Sequence, residues 1–298
     1  MSGLADLGYA VGWRLLRFVP TGLATRAFRA GADLAAYRDG PGTRQLRRNL
    51  ARVVPDASST ELDALVREGL RSYARYWQEV FLLPWADHAA LVGRLDAAME
   101  GTEHLDRALA TGCGVVVVLP HSGNWDMAGL WLVRCHGSFS TVVERLPSDA
   151  LYQRFVVYRA SLGFDIVPLT GEGNPALRLL RRLRAGGVVC LLADRDLTGA
   201  GVNVEFFGGT ARMPLGPARL AAATGATLLP IGCWFTPRGW GIRYHPPIPV
   251  PDSSAARQAT QAVADCFATD IAARPQDWHM LQPLWIEDLP ATTRRNVG

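Results

Sequence analysis

Apolar residues along the first third of the chain recur at helical intervals. Residues 3–37 place Leu4, Leu7, Val11, Leu15 and Phe18, then Leu23 and Phe28, at roughly that spacing around Pro20 and predict helix. "GTRQLRRNLARVVP" reads as a second helix, stopped by Pro55. "DASSTELDALVREGLRSYARYWQEVFLLPW" reads as a third, with Ser59 or Thr60 as N-cap and Leu62, Leu65, Val66, Leu70 and Tyr73 as its apolar stripe. The first ~95 residues are helical by pattern.

Near residue 97 the pattern changes. Short apolar runs at 114–119, 140–144, 165–169, 188–193, 202–207 and 227–235, followed by "WGIRYHPPI", alternate with candidate helices. Those helices fall near 124–136, 149–162, 174–185, 214–223 and 254–273. Strands this uniformly apolar need cover on both faces, so the expected class is α/β, a mostly parallel central sheet flanked by helices. No internal repeat or low-complexity linker divides the chain. The expectation is one domain over 1–298, with 1–95 a helical extension and 96–290 the α/β core.

Charge refines this picture. All 31 basic residues are arginine. Residues 1–54 hold nine arginines against three acids, a surplus of six that exceeds the +4 of the whole chain. A basic end suits anionic lipid, nucleic acid or a solvated face. Arginine without interleaved aromatics or a recognition helix excludes nucleic acid. The apolar cluster Trp13, Leu15, Leu16, Phe18 and Val19 beside Arg14 and Arg17 fits a membrane interface, or a helix that covers the core. Neither a secretory signal nor a membrane-spanning stretch is evident, so a soluble or peripheral protein is expected. The five cysteines are scattered without CxxC, and His121, His136 and His245 are not at ligand spacing; neither zinc nor another metal is expected.

Ligands of open α/β sheets gather at the carboxyl ends of strands. "VVVVLPHSGNWD" ends one strand in Pro120-His121. Gly123 permits a close turn, Asn124 suits an N-cap, and Asp126 falls in the first helical turn. An acid there can face the histidine, fix its tautomer and leave the other nitrogen to take a proton. "LLADRDLTGAG" puts Asp194, Arg195 and Asp196 directly after another strand, where unpaired charges are costly. Glu144 and Arg145 end a third strand, and Arg159 lies on the next helix. Such charges can converge on one cleft. G-x-S-x-G, G-x-G-x-x-G and Walker loops are missing, which argues against a serine hydrolase elbow and against nucleotide use.

With these residues assembled, the sequence resembles the glycerolipid and lipid A acyltransferase superfamily, and within it the lauroyl/myristoyl-type group. "LPHSGNWDMAG", "LYQRFVVYRASLGFDIVPL", "DRDLTGAGVNVEFFG…ARMPLGPARLA" and "PQDWHMLQPLW" carry the likeness. The "DRD" run is the most particular and is similar to the branch acting on phosphatidylinositol mannosides. The resemblance implies a glycerol-3-phosphate acyltransferase-like fold and His121 as catalytic base in an H-x4-D motif with Asp126. It puts Glu144 and Arg159 at polar site positions, and Asp194 where that branch often has glutamate. Asp126 or Asp194 would then stabilise the imidazolium, while Arg195, with Asp196 beside it, would meet substrate. It also implies acyl-CoA, palmitoyl-CoA foremost, as co-substrate without a further cofactor, and a glycolipid acceptor in the membrane. The implied place is the cytoplasmic face of the plasma membrane, held by the basic N-terminal helices. Another glycolipid or lysophospholipid acceptor, a carrier-protein donor, and a non-catalytic lipid-binding protein are the alternatives.

Overall fold

A run of valines can be buried on both sides only inside a sheet. In the computed structural model, which describes residues 16–143, 149–168, 174–196 and 199–289, that is where they lie. The main sheet comprises β1 (Met99–Glu100), β2 (Val115–Leu119), β3 (Phe139–Val143), β4 (Asp165–Pro168), β5 (Val188–Leu192), β8 (Thr227–Thr236) and β9 (Gly239–Tyr244). Its order is β1-β9-β8-β2-β5-β3-β4, and only β8 and β9 pair antiparallel. β6 (Val202–Phe206) and β7 (Gly209–Met213) form a separate antiparallel hairpin. The apolar run at 202–207 is therefore not a strand of the main sheet. Its buried, exposed alternation fits a ribbon with one covered face.

Ten α-helices surround these strands among the described residues: α1 (Thr21–Arg38), α2 (Pro41–Val53), α3 (Ser59–Leu82), α4 (His88–Asp96), α5 (Thr102–Ala110), α6 (Trp125–His136), α7 (Asp149–Ser161), α8 (Pro175–Arg184), α9 (Gly216–Thr224) and α10 (Ala256–Ala273). Side chains alternate across β2. Val116 and Val118 pack with Leu183 of α8, Ala218 of α9 and Phe267 of α10. Val115, Val117 and Leu119 pack on the opposite face with Leu105 of α5, Leu130 of α6 and Phe155 of α7. A smaller cluster of Ala32, Leu46, Leu50, Val66 and Leu70 joins α1, α2 and α3.

Helix limits differ from the pattern for local reasons. A 3-10 turn at Leu16–Phe18 precedes Pro20, which caps α1, so the described part of the first helix starts at Thr21; residues 1–15 lie outside the described residues. α3 is capped by Ser58, one position before the expected Ser59 or Thr60. Glu61 stands three residues after Ser58, and only that spacing closes a reciprocal capping box. Strand β3 ends at Val143, and Glu144 lies outside the described residues.

After α10 the chain returns across the molecule. Buried Asn49 of α2 donates from Nδ2 to the carbonyls of Met280, at 2.7 Å, and Gln282, at 3.0 Å. Arg52 pairs with Glu287 and Asp288 and lies 4.7 Å over the Trp285 ring, whose Nε1 donates to the Phe206 carbonyl at 2.9 Å. Asn49→Ala leaves buried carbonyls unsatisfied and is expected to cost about 1–3 kcal/mol in urea unfolding. An unchanged unfolding midpoint would mean that the C-terminal segment is secured elsewhere.

Candidate active site

Strands β2 and β5 are parallel neighbours, with Leu119 opposite Leu192. His121 and Asp194 each lie two residues beyond that last pair, so the ladder itself brings them together. His121 Nδ1 is 2.6 Å from Asp194 Oδ1, and the His121 backbone N–H donates to Oδ2 at 2.9 Å. Trp278 Nε1 donates to the same Oδ2 at 3.1 Å. Asp194 is fully buried. Burial alone would raise its carboxyl, but facing His121 and these hydrogen bonds hold it below the ordinary carboxylate range. An ionised carboxylate on Nδ1 fixes the proton there and leaves Nε2 as the acceptor. The His121 side chain is 27% exposed, so it remains within reach of a ligand.

Asp126, the other acid considered, has different partners. Asn124 caps α6, its Oδ1 accepting from the N–H groups of Asp126 and Met127 at 3.1 and 3.2 Å. This helix start gives the Asp126 carboxylate to Arg159 of α7, with Nε at 2.9 Å, and to the Tyr76 hydroxyl of α3 at 3.4 Å. The acid facing the histidine is thus Asp194, and Asp126 forms a buried ion pair. Although burial alone would lower it, the Asp126 charge keeps the Arg159 guanidinium protonated. Gly123, at φ +58°, lets the intervening loop press on β8; a Cβ there would stand 2.7 Å from backbone atoms of Cys233 and Trp234.

The charges after β5 also separate. Asp196 accepts from the N–H groups of Gly199 and Gly201 at 3.1 and 2.7 Å and pairs with Arg212 at 3.4 Å. Its side chain is buried by these contacts ahead of β6. Arg195 is half-buried between the two acids, and Glu144 lies outside the described residues.

A cleft runs between α6 and the sheet. Asp126 and Arg159 are its charged wall, and Leu132, Phe139 and Phe164 contribute to an apolar remainder. A Cβ on Gly129 would lie 2.5 Å from the Phe164 ring, so this residue keeps the helix close. His121 and Asp194 stand beside the cleft and outside its lining. Trp125 connects the two: it lines the cleft, and the His121 ring meets it edge-on at 5.6 Å.

Pattern reading missed the residues that hold this loop. The His279 N–H donates to the His121 carbonyl at 2.8 Å, and the Gly123 N–H to the Asp277 carbonyl at 2.9 Å. Ser122 bridges Trp278 as a short antiparallel pair. The Asp277 carboxylate accepts from Ser72 Oγ of α3 at 2.7 Å and from the Phe235 N–H at 2.9 Å. Glu79 of α3 accepts from Asn124 Nδ2 at 2.7 Å and Trp240 Nε1 at 2.8 Å. The dense "DWH" of a terminal, otherwise loop-like segment was the available signal. Among the described residues, no cluster of His, Cys, Asp or Glu suits a metal ion.

Burial, with His121 as a lesser cause, pushes the His279 imidazole down from 6.5 to about 3. Below pH ~6.5 the unfolded chain therefore takes up a proton that the folded protein refuses. Stability falls as pH drops through that window, with a slope approaching about 1.4 kcal/mol per pH unit. His279→Gln should remove this component, so the stability gap between variant and wild type narrows from pH 7 to 5 in urea titrations. Parallel curves would mean that the folded imidazole is not held neutral.

Comparison with known proteins places this geometry. The family model for bacterial lipid A biosynthesis acyltransferases matches residues 4–287. The chain is 52% identical over 293 residues to the phosphatidylinositol mannoside acyltransferase of Mycobacterium tuberculosis, covering 98% of this chain and 92% of that one. It is 52% identical over 296 residues to the enzyme of the same name from Mycolicibacterium smegmatis, covering 99% and 96%. With the match running through both strand ends that carry His121 and Asp194, this chain belongs to the bacterial lipid A biosynthesis acyltransferase family.

Proposed function

We propose that this protein transfers a long-chain fatty acyl group from acyl-CoA to a mannose hydroxyl of a phosphatidylinositol mannoside. The observation that carries the chemistry is His121 Nδ1 held 2.6 Å from buried Asp194 beside the apolar cleft. The acceptor class follows the name shared by the two mycobacterial relatives.

A sugar hydroxyl is a weak nucleophile. His121 Nε2 takes its proton as the oxygen attacks the thioester carbonyl, and Asp194 stabilises the imidazolium that forms. Collapse of the tetrahedral intermediate breaks the C–S bond, and the departing thiolate takes the proton back. Arg195, directly after Asp194, favours the developing oxyanion. No acyl-enzyme is required. The apolar walls of the cleft suit a hydrocarbon chain. Asp126 and Arg159 form a preorganised polar wall at the cleft. No helix among the described residues is long and apolar enough to cross a membrane. A lipid acceptor calls for contact with the membrane, which we assign to the cytoplasmic leaflet and to attraction between the arginine-rich N-terminal part and anionic headgroups.

The test is thiol release from palmitoyl-CoA with and without phosphatidylinositol dimannoside. Glycolipid-stimulated release is expected from the wild type, with His121→Ala and Asp194→Asn each lowering kcat by about 10²–10⁴-fold. Trp278→Phe deletes one donor to Asp194 and should cost about tenfold, the equivalent of roughly 1.4 kcal/mol. Asp126→Asn should instead show itself in stability, by about 3–5 kcal/mol, because Arg159 is left buried and unpaired. Release indifferent to the glycolipid, or retained by His121→Ala, would overturn the assignment.

A further inference from the structure

Trp125 opens α6 between the histidine and the cleft, and its ring is held from two sides. It packs on Tyr76 of α3 with centroids 4.1 Å apart and planes at 30°, and the His121 ring meets it edge-on at 5.6 Å. Tyr76 is in turn fixed by its hydroxyl on Asp126. Yet the indole nitrogen, Nε1, is buried without a hydrogen-bond partner among the described residues. Other tryptophans pair theirs: Trp131, Trp240, Trp278 and Trp285 donate to Asp96, Glu79, Asp194 and the Phe206 carbonyl. A buried N–H that has left water for no acceptor destabilises the protein carrying it. The nearby acids do not relieve it. Asp126 is bound by Arg159 and Tyr76, and Glu79 by Asn124 and Trp240.

Acyl transfer at this point calls for a donor to the carbonyl oxygen, which gains negative charge as the tetrahedral intermediate forms. Backbone N–H groups are the common source, but those around His121 are engaged. The amides of His121, Ser122 and Gly123 donate to Asp194, Pro120 and Asp277, and those of Asp126 and Met127 to Asn124 Oδ1. Asn124 Nδ2 is on Glu79. Ser122 Oγ and His279 Nδ1 are also buried without partners, but neither residue lines the cleft. Trp125 does.

We propose that Trp125 is a catalytic residue whose indole N–H binds the thioester carbonyl oxygen and the oxyanion formed from it. The inference rests on the reading of this site as an acyl-transfer centre, and it names the group that receives the charge. As the sugar oxygen adds to the carbonyl carbon, His121 Nε2 takes its proton and the C=O π pair moves onto oxygen. There the indole donates a hydrogen bond and keeps its proton. Return of the pair re-forms C=O and breaks the C–S bond, and the thiolate leaves with the proton held by His121. Arg195 contributes charge to this step, whereas Trp125 contributes a directed bond. An acyl chain lying along the cleft brings its carbonyl to this ring, because Trp125 is what joins the cleft to His121. The donor needs no rearrangement as charge develops, since Tyr76 and the start of α6 fix the ring beforehand. An N–H left unmet in the free protein is then a site prepared for an atom that arrives with the substrate.

The experiment puts benzothienylalanine at Trp125 of the full chain, so that sulfur replaces the N–H and the ring keeps its shape; Trp125→Phe is its simpler companion. Thiol release and melting curves are recorded for each. Calorimetry measures binding of two unreactive donors: S-hexadecyl-CoA, which has no carbonyl, and a palmitoyl-CoA ketone with methylene in place of the thioester sulfur. The benzothienyl protein should lose about 10²–10³-fold in kcat. Its Tm should equal or exceed that of wild type, because the unmet donor is gone. Wild type should bind the ketone about tenfold more tightly than the thioether, and both variants should lose that preference. Wild-type kcat in the benzothienyl protein would overturn the proposal. So would a kcat loss with the ketone preference intact, or a lowered Tm with kcat unchanged, which would assign the indole to packing. A ketone preference that depends on the N–H, in a protein that transfers nothing to phosphatidylinositol dimannoside, would sink the proposed acceptor and leave the donor standing. Glycolipid-dependent transfer at an unaltered rate without the N–H would do the reverse.

Discussion

The structure around the candidate site depends on one buried carboxylate. Asp194 has no contact with solvent, so its charge must be met by donors from the protein. Three are supplied: the His121 ring, the His121 backbone and the Trp278 indole. Each comes from a part of the fold with its own reason to be there. The histidine is delivered by a strand that pairs in register with that of Asp194, and the indole by a segment returning after the last helix. The imidazole therefore sits in a frame set by backbone ladders on both sides of its loop.

That frame extends into the N-terminal helices. α3 reaches the His121 loop and its partners through Ser72, Tyr76 and Glu79, which contact Asp277, Asp126 and Asn124. α2 secures the returning segment through Asn49 and Arg52. The helical part is thus a structural component of the candidate site. The second charge pair, Asp126 with Arg159, lies on the cleft side of Trp125, while His121 and Asp194 lie on the other. One aromatic residue divides the histidine–acid pair from the largely apolar cleft.

Much of this was legible in the chain. Uniformly apolar strands alternating with helices gave the α/β class, and charges at strand ends marked the right edge of the sheet. The pairing of His121 with Asp194 was readable in principle, since each follows its strand by the same offset, but only once β2 and β5 are known to be neighbours. Strand order is a tertiary fact that periodicity does not contain. The choice between Asp126 and Asp194 as the acid facing His121 stayed open in the sequence, because proximity along the chain says nothing of a helix's rotation, which Asn124 and Arg159 determine. Asp194 and Asp196 looked equivalent in one charged run, yet the turn sends one to the histidine and the other to the N–H groups of its own loop. For α1 the pattern announced an apolar stripe and left open which side is covered; the buried Ala24 and Ala32 answered that only in three dimensions.

The dependence of the site on residues 277–279 has a consequence for how the protein comes into being. A chain emerging from the ribosome makes its N-terminal helices and most of its sheet before the segment that closes around His121 exists. Until then Asp194 lacks its indole donor, and the loop lacks its second backbone partner. The arrangement around His121 is completed late, because the last structural piece supplies the remaining partners of His121 and Asp194. A nascent chain lacks the finished arrangement around His121, however far its first helices have already packed.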